Sequence, residues 1–174
     1  MTINHSPTQT AAKDATAAAG SLDTTLPQLG RGFVWQDLAV GQRMRTFRRT
    51  VTETDLVNFI SVTGMLEAIF IEEGYEGGAI QGRPVPAALT YSLIEGFILQ
   101  TMIQGTGLAM LELEQKILAP VVVGDTVEAV IEVTAIKPTS KSGRAVVTSR
   151  IDVFKQKGVQ VMTYSAKRLL AGRP

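Results

Sequence analysis

The stretch that most limits what this chain can fold into is Pro84-Val-Pro-Ala-Ala-Leu-Thr-Tyr-Ser-Leu-Ile-Glu-Gly-Phe-Ile-Leu-Gln-Thr-Met-Ile103, flanked by Gly82-Arg83 and Gly105. Pro86 suits the first turn of a helix, where its missing N–H costs nothing. Leu89, Leu93, Phe97 and Leu99 lie with Ile94, Ile98 and Met102 in a broad apolar band, and a helix apolar nearly all round is a buried one. The run approaches the roughly 20 residues that a membrane span needs. Thr90, Tyr91, Ser92, Glu95, Gln100 and Thr101 interrupt it, however, and a glutamate inside a bilayer is costly. A helix from Pro86 to Ile103 would run about 27 Å at roughly 1.5 Å per residue. A strand of 8–10 residues covers about 26–34 Å. The helix therefore has the length to lie along a sheet and be wrapped by it.

Composition narrows the chemistry more than the fold. The 174 residues leave room for one domain with a proper core. A net charge of +1 gives no reason to expect a nucleic-acid or membrane-surface partner. The chain has no cysteine, which excludes disulfides and thiolate chemistry, and its only histidine is His5. One histidine near the N-terminus leaves only oxygen ligands elsewhere, so neither a metal site nor a cofactor is expected. No Gly-x-Gly-x-x-Gly or Gly-Lys-Thr pattern offers a phosphate loop.

Taken in order, residues 1–28 are rich in Ala, Thr and Ser without apolar periodicity and read as a disordered extension. They lack the basic start and apolar core of a signal peptide, and a cytoplasmic protein is expected. Residues 29–172 are expected to form one domain. Gln42 to Val51 reads as a strand, carrying Arg43, Arg45, Arg48 and Arg49 on what is either a solvated face or a contact to an anionic ligand. Thr52-Glu53-Thr54-Asp55 has the form of a helix start, Leu56, Val57, Phe59, Ile60 and Val62 follow at helical spacing, and Gly64 stops the helix. Met65 to Gln81 reads as a loop. After the long helix, Leu108–Leu118, Thr126–Ile136, Ala145–Phe154 and Val159–Leu170 carry the alternation of strands. Short polar turns make the last three antiparallel neighbours. The result is an α+β layer of helix on antiparallel sheet.

Four short motifs in this order carry a family resemblance. Thr52-Glu-Thr-Asp-Leu-Val-Asn-Phe59, Thr63-Gly64, Gly82-Arg83 leading into the long helix, and Pro120-Val-Val-Val-Gly-Asp-Thr126 resemble the MaoC-like dehydratases. The resemblance covers about residues 33 to 170. It implies the hotdog fold, a curved antiparallel sheet wrapped around a central helix, usually paired into a dimer with a continuous sheet. It also implies an acyl-CoA or acyl-carrier thioester as ligand, and hydration of trans-2-enoyl thioesters or the reverse. The catalytic members carry Asp-x-Asn-Pro-x-His after Thr-Gly. Here the segment is Met65-Leu66-Glu67-Ala68-Ile69-Phe70, with Met65 at the Asp position and Phe70 at the His position. Where the family writes Ala-His-Gly, this chain has Val85-Pro86-Ala87. Neither Met nor Phe can shuttle a proton, and a positioned acid–base group supplies about 10²–10⁴ in rate.

The resemblance implies that the N-terminus of the long helix, at Ala87 and Ala88, polarises a thioester carbonyl with its unpaired N–H groups. Gly64, Met65, Phe70, Gly82, Pro86, Ala87 and Ala88 are thus the expected binding residues. Three readings remain open. The chain is an acyl-thioester protein with altered chemistry, a non-catalytic subunit paired with a hotdog partner that carries Asp and His, or a thioesterase using Glu67. In the last, Glu67 would be tucked against Met65, Leu66 and Phe70, and desolvation would raise its pKa. Glu95, mid-helix among apolar residues, is either a buried carboxylate bonded across a dimer interface or a group on a polar edge.

Overall fold

A computed structural model of the chain describes residues 28–140 and 143–173. The extension expected over 1–28 lies outside the described residues apart from Gln28. The elements run β1 (Arg43–Arg45), β2 (Arg49–Thr50), α1 (Glu53–Thr63), α2 (Ala68–Ile71), α3 (Ala87–Thr101), β3 (Gly107–Ile117), β4 (Thr126–Pro138), β5 (Arg144–Lys155) and β6 (Val159–Ala171). The strands form an antiparallel sheet in the order β1-β4-β5-β6-β3, and β2 pairs separately with β4. This is the α+β architecture of helix on antiparallel sheet that the strand and helix patterns predict.

Alternation decides which face of the sheet meets α3. Val127, Ala129, Ile131 and Val133 of β4 are buried, as are Val147, Ile151 and Val153 of β5 and Met162, Tyr164, Ala166 and Leu170 of β6. Ile131 pairs with Ile151, and Ile151 with Tyr164, so the inward positions form a row across three strands. They join Leu89, Ile94, Phe97 and Ile98 of α3 in one core. Each such aliphatic or aromatic side chain contributes about 1.5–3 kcal/mol on burial. The cover over α3 is incomplete. Leu99, expected inside the apolar band, is 52% exposed.

Two predicted elements differ in detail. The strand expected over Gln42–Val51 is broken into β1 and β2 because Thr46 departs from the ladder. Its N–H donates to the Ala129 carbonyl while its hydroxyl accepts the Ala129 N–H, both at 2.9 Å. A side-chain oxygen there does the work of a backbone carbonyl. The loop expected over Met65–Gln81 contains the short helix α2, capped by Glu67. Helix α1 starts as its sequence predicts. Thr52 and Asp55 exchange bonds in a capping box, and Gly64 ends the helix at φ 72°.

The ends of α3 are fixed by segments remote in sequence. At its C-terminus, Gly32 N–H donates to the Gln104 carbonyl and Phe33 N–H to the Met102 carbonyl, each at 2.8 Å. A Cβ on residue 32 would lie 2.5 Å from Met102 O, so only glycine permits this approach. At the N-terminus, Val85 N–H donates to Val121 O, and Val123 N–H donates to Arg83 O. The turn Pro120–Asp125 thus holds the residues that lead into α3.

That turn is organised by Asp125, which is 4% exposed. Its carboxylate accepts from Val122 N–H at 3.0 Å, from Lys155 Nζ at 3.0 Å and from the Gln156 amide. Burial alone pushes its pKa up, but the bonds from Val122, Lys155 and Gln156 and the Lys155 charge outweigh burial and hold it below the usual range. A depressed folded-state pKa stabilises the fold above the unfolded value of about 3.9, and that stability is lost as pH falls through the folded value. Asp125→Asn is therefore expected to lower stability at pH 7 by about 1–3 kcal/mol. In urea melts the deficit against the parent should shrink steadily below about pH 4.

Candidate functional site

The site is built on the N-terminus of α3, and the chain leaves this helix end chemically open. Pro86 is the N-cap residue and supplies no side-chain cap. Its carbonyl accepts from Leu89 N–H at 2.9 Å and from Thr90 N–H at 3.3 Å, while the N–H groups of Ala87 and Ala88 have no partner among the described residues. Two free donors at the positive end of a 15-residue helix favour an electron-rich oxygen. Ala87 and Thr90 line a cavity of about 40 Å³ with Val85, Ile117, Ala119 and Val121. This volume accommodates a water-sized polar group. Thr90 is 1% exposed, and its hydroxyl oxygen has no hydrogen-bond partner. A buried hydroxyl without a protein partner is unusual, and a water or a ligand atom in the small cavity would satisfy it. Sequence reasoning missed Thr90, although its position three residues after Ala87, one helical turn on, puts it on the same side of the helix.

Arg83 prepares this end from the other direction. Its Nε and Nη2 donate to the Phe70 carbonyl at 3.2 and 2.9 Å, and its Nη1 pairs with Glu53 of α1. One guanidinium thereby ties α1, the end of α2 and the entry to α3. Gly82 and Arg83 line an open cleft of about 950 Å³ together with Glu53, Glu72, Tyr75 and Val123. The predicted binding residues are split between these places. Gly82 lines the cleft and Ala87 the small cavity, whereas Gly64, Met65, Glu67 and Phe70 line neither. Gly64 and Met65 are exposed, and Phe70 is half-buried.

Glu67 does not occupy the enclosed position expected of a thioesterase base. It is exposed, and its carboxylate caps α2 by accepting Ile69 N–H at 2.8 Å. The residue two positions before a helix N–H, with an acidic side chain, satisfies that orphan donor instead of facing an apolar pocket. The arginines of the first strands are likewise engaged at the surface. Arg45 and Arg48 approach Glu128 at 3.7 and 3.5 Å, and Arg49 pairs with Asp55 at 2.5 Å.

The buried carboxylate is Glu95, 8% exposed. Its Oε1 accepts from the Tyr164 hydroxyl at 2.7 Å and from Arg168 Nη2 at 2.5 Å. Glu95 is thus buried and not on a polar edge, but its bonds run to β6 of the same chain and not across a dimer interface as expected, because Tyr164 and Arg168 both face α3. Tyr91 packs edge-on against Tyr164, with ring centroids 5.3 Å apart. Burial first and the Glu95 charge second push the Tyr91 hydroxyl up, and the same causes hold the Tyr164 hydroxyl well above the ordinary range. Both phenols therefore stay protonated donors through the physiological range. Among the described residues no group of His, Cys, Asp and Glu could hold a metal ion. No helix among them is long and apolar enough to cross a membrane.

No family model matches the chain. A 3-hydroxybutyryl-CoA dehydratase from Methylorubrum extorquens AM1 is 26% identical over 126 residues, 72% of this chain and 79% of that protein. The unliganded (R)-hydratase of Pseudomonas aeruginosa is 25% identical with a TM-score of 0.65, over 82% of this chain and 88% of that one. A MaoC-like dehydratase from Rhodospirillum rubrum superimposes with a TM-score of 0.71 at 23% identity, over 82% of this chain and 99% of that one. The chain has the hotdog fold of these MaoC-like dehydratases and (R)-hydratases and is similar to them in sequence.

Arg168 and Glu95 tie α3 to β6 inside the core, and removing one member strands the other as a buried charge. Arg168→Met is expected to cost about 3–5 kcal/mol in chemical denaturation. The double variant Arg168→Met with Glu95→Leu should cost less than the sum of the single changes, because it leaves no charge behind.

Proposed function

We propose that this protein binds acyl thioesters, with the thioester carbonyl directed at the N–H groups of Ala87 and Ala88, and that it lacks the acid–base pair for enoyl hydration. The observation that carries the reading is the uncapped start of α3 beside the unpartnered Thr90 hydroxyl. Both donate to oxygen, which suits a carbonyl that gains negative charge. Gly82 and the open cleft beside it offer the approach for the carrier portion of the ligand, CoA or a carrier protein. The resemblance places Met65 and Phe70 at the positions of the acid–base residues. The exposure of Glu67 gives it no enclosure in which to replace them.

A second observation favours a subunit role. Every residue of β3 is exposed, including Leu108, Met110, Leu111, Leu113 and Ile117. An edge strand 11 residues long with this many apolar side chains is a surface made for another chain. The occupant proposed is a second hotdog chain, either another copy or a different member that brings the missing Asp and His.

The test joins binding to turnover. Titration with crotonyl-CoA and longer acyl-CoAs should show saturable binding, with neither hydration nor thiol release by the protein alone. Ala87→Pro removes one of the two donors at a position where a helix accepts proline, and the extended backbone of Pro86, at φ −52° and ψ 133°, tolerates a following proline. Affinity is expected to fall about tenfold or more with the melting temperature nearly unchanged. Unaltered affinity would move the thioester elsewhere. Hydration by the lone chain would overturn the reading that the acid–base pair is missing, and thiol release lost in Glu67→Gln would establish a thioesterase.

A further inference from the structure

We infer that the open cleft beside Gly82 selects thioesters by charge, admitting a neutral pantetheine arm and disfavouring the polyanionic nucleotide end of CoA. This rests on the proposed direction of the thioester carbonyl at Ala87 and Ala88, and deepens it by concerning the carrier. A carrier protein presents its thioester in the favoured form. Its pantetheine arm has one phosphodiester at the root, where CoA carries a diphosphate and a further phosphate.

Charge is unevenly placed around the cleft. The carboxylates of Glu53, Glu72 and Glu73 line it, against the single guanidinium of Arg83. That guanidinium is already engaged. Its Nη1 pairs with Glu53, and its Nε and Nη2 donate to the Phe70 carbonyl at 3.2 and 2.9 Å. Glu72 and Glu73 are exposed and form no ion pair among the described residues. They hold no ligand themselves. They set the potential of a concave space with low-dielectric walls, where the field of like charges is concentrated. A phosphorylated nucleotide would enter against two uncompensated negative charges and meet no free cation to offset the loss of its hydration.

Nothing repels a neutral arm. Pantetheine carries amide and hydroxyl groups, which both donate and accept. Gln81 and Tyr75 line the same cleft with a carboxamide and a phenol, each of which does the same. A Cβ on residue 77 would lie 2.7 Å from Tyr75 Oη, so the glycine there leaves the phenol room to lie against the backbone. The cleft, about 950 Å³, is large enough for the arm.

Calorimetric titration of the full chain with crotonyl-pantetheine and crotonyl-CoA tests the selection, because the two differ only in the phosphorylated nucleotide end. At low ionic strength the pantetheine thioester is expected to bind about tenfold more tightly. Raising salt from about 0.01 to about 1 M shortens the reach of charge from about 30 to about 3 Å. The affinity of crotonyl-CoA should then rise toward that of the neutral thioester, which controls for any effect of salt on apolar contact. Glu72→Gln with Glu73→Gln should narrow the gap at low salt, and Glu72→Lys with Glu73→Lys should reverse it. Because the ratio of two affinities is read, Ala87→Pro, which weakens both thioesters alike, should leave it unchanged. The inference is overturned if crotonyl-CoA binds at least as tightly as crotonyl-pantetheine at low salt, if salt weakens its binding, or if the glutamine variant keeps the gap. Failure of both thioesters to bind overturns the proposed thioester reading and this selection with it.

Discussion

Helix α3 must be covered, and most of the structure is an answer to that need. Its buried side chains, Leu89, Ile94, Phe97 and Ile98 among them, cannot be left to water. Three long strands supply inward-facing partners at every second residue, and the turn Pro120–Asp125 and the Gly32–Phe33 segment close on the two ends. The pair formed by Glu95 and Arg168 sits inside this cover. A buried ion pair gives little net stability against an apolar pair of the same size. It does make the relative placement of α3 and β6 specific, because sliding either element would leave a charge unpaired.

The same covering explains where chemistry can persist. A helix clamped at both ends presents its first N–H groups in a fixed direction, which is what preorganised stabilisation of an oxyanion requires. That capacity belongs to the backbone, so it survives replacement of nearby side chains. Acid–base chemistry belongs to side chains, and neither a methionine such as Met65 nor a phenylalanine such as Phe70 can carry a proton. On the proposed reading, binding without hydration therefore needs no change of fold.

Much of this was legible in the sequence, for reasons that differ by element. The capping residues Thr52 and Asp55, the stop at Gly64 and the alternation of β4 to β6 are local rules, and local rules can be read from local residues. The break at Thr46 and the clamp of Arg83 on the Phe70 carbonyl are not local. Each depends on a partner from another part of the chain. The cap that Glu67 makes for Ile69 was not legible because Met65 to Gln81 read as a loop, and a cap can be read only where its helix is expected. Arg168 was readable in principle. It falls in phase with the buried residues Tyr164, Ala166 and Leu170, and an arginine in an inward phase calls for a buried carboxylate. Glu95, already conspicuous mid-helix, was that carboxylate.

The exposed strand β3 sets the relation between the proposed site and a partner chain. Its pairing with β6 is irregular at the start, with register shifts between Gly107 and Ala109 and between Met110 and Glu112. From Glu112 to Ile117 the register runs without interruption. Bulges twist an edge and weaken it as a template, while a regular stretch is where another strand adds most readily. A partner chain would therefore dock along the second half of β3. Ile117, at the regular end, also lines the small cavity beside Ala87. A chain added there would bear on the N-terminal end of α3, where the thioester carbonyl is proposed to lie, which is the arrangement a subunit needs if its partner is to act on that carbonyl.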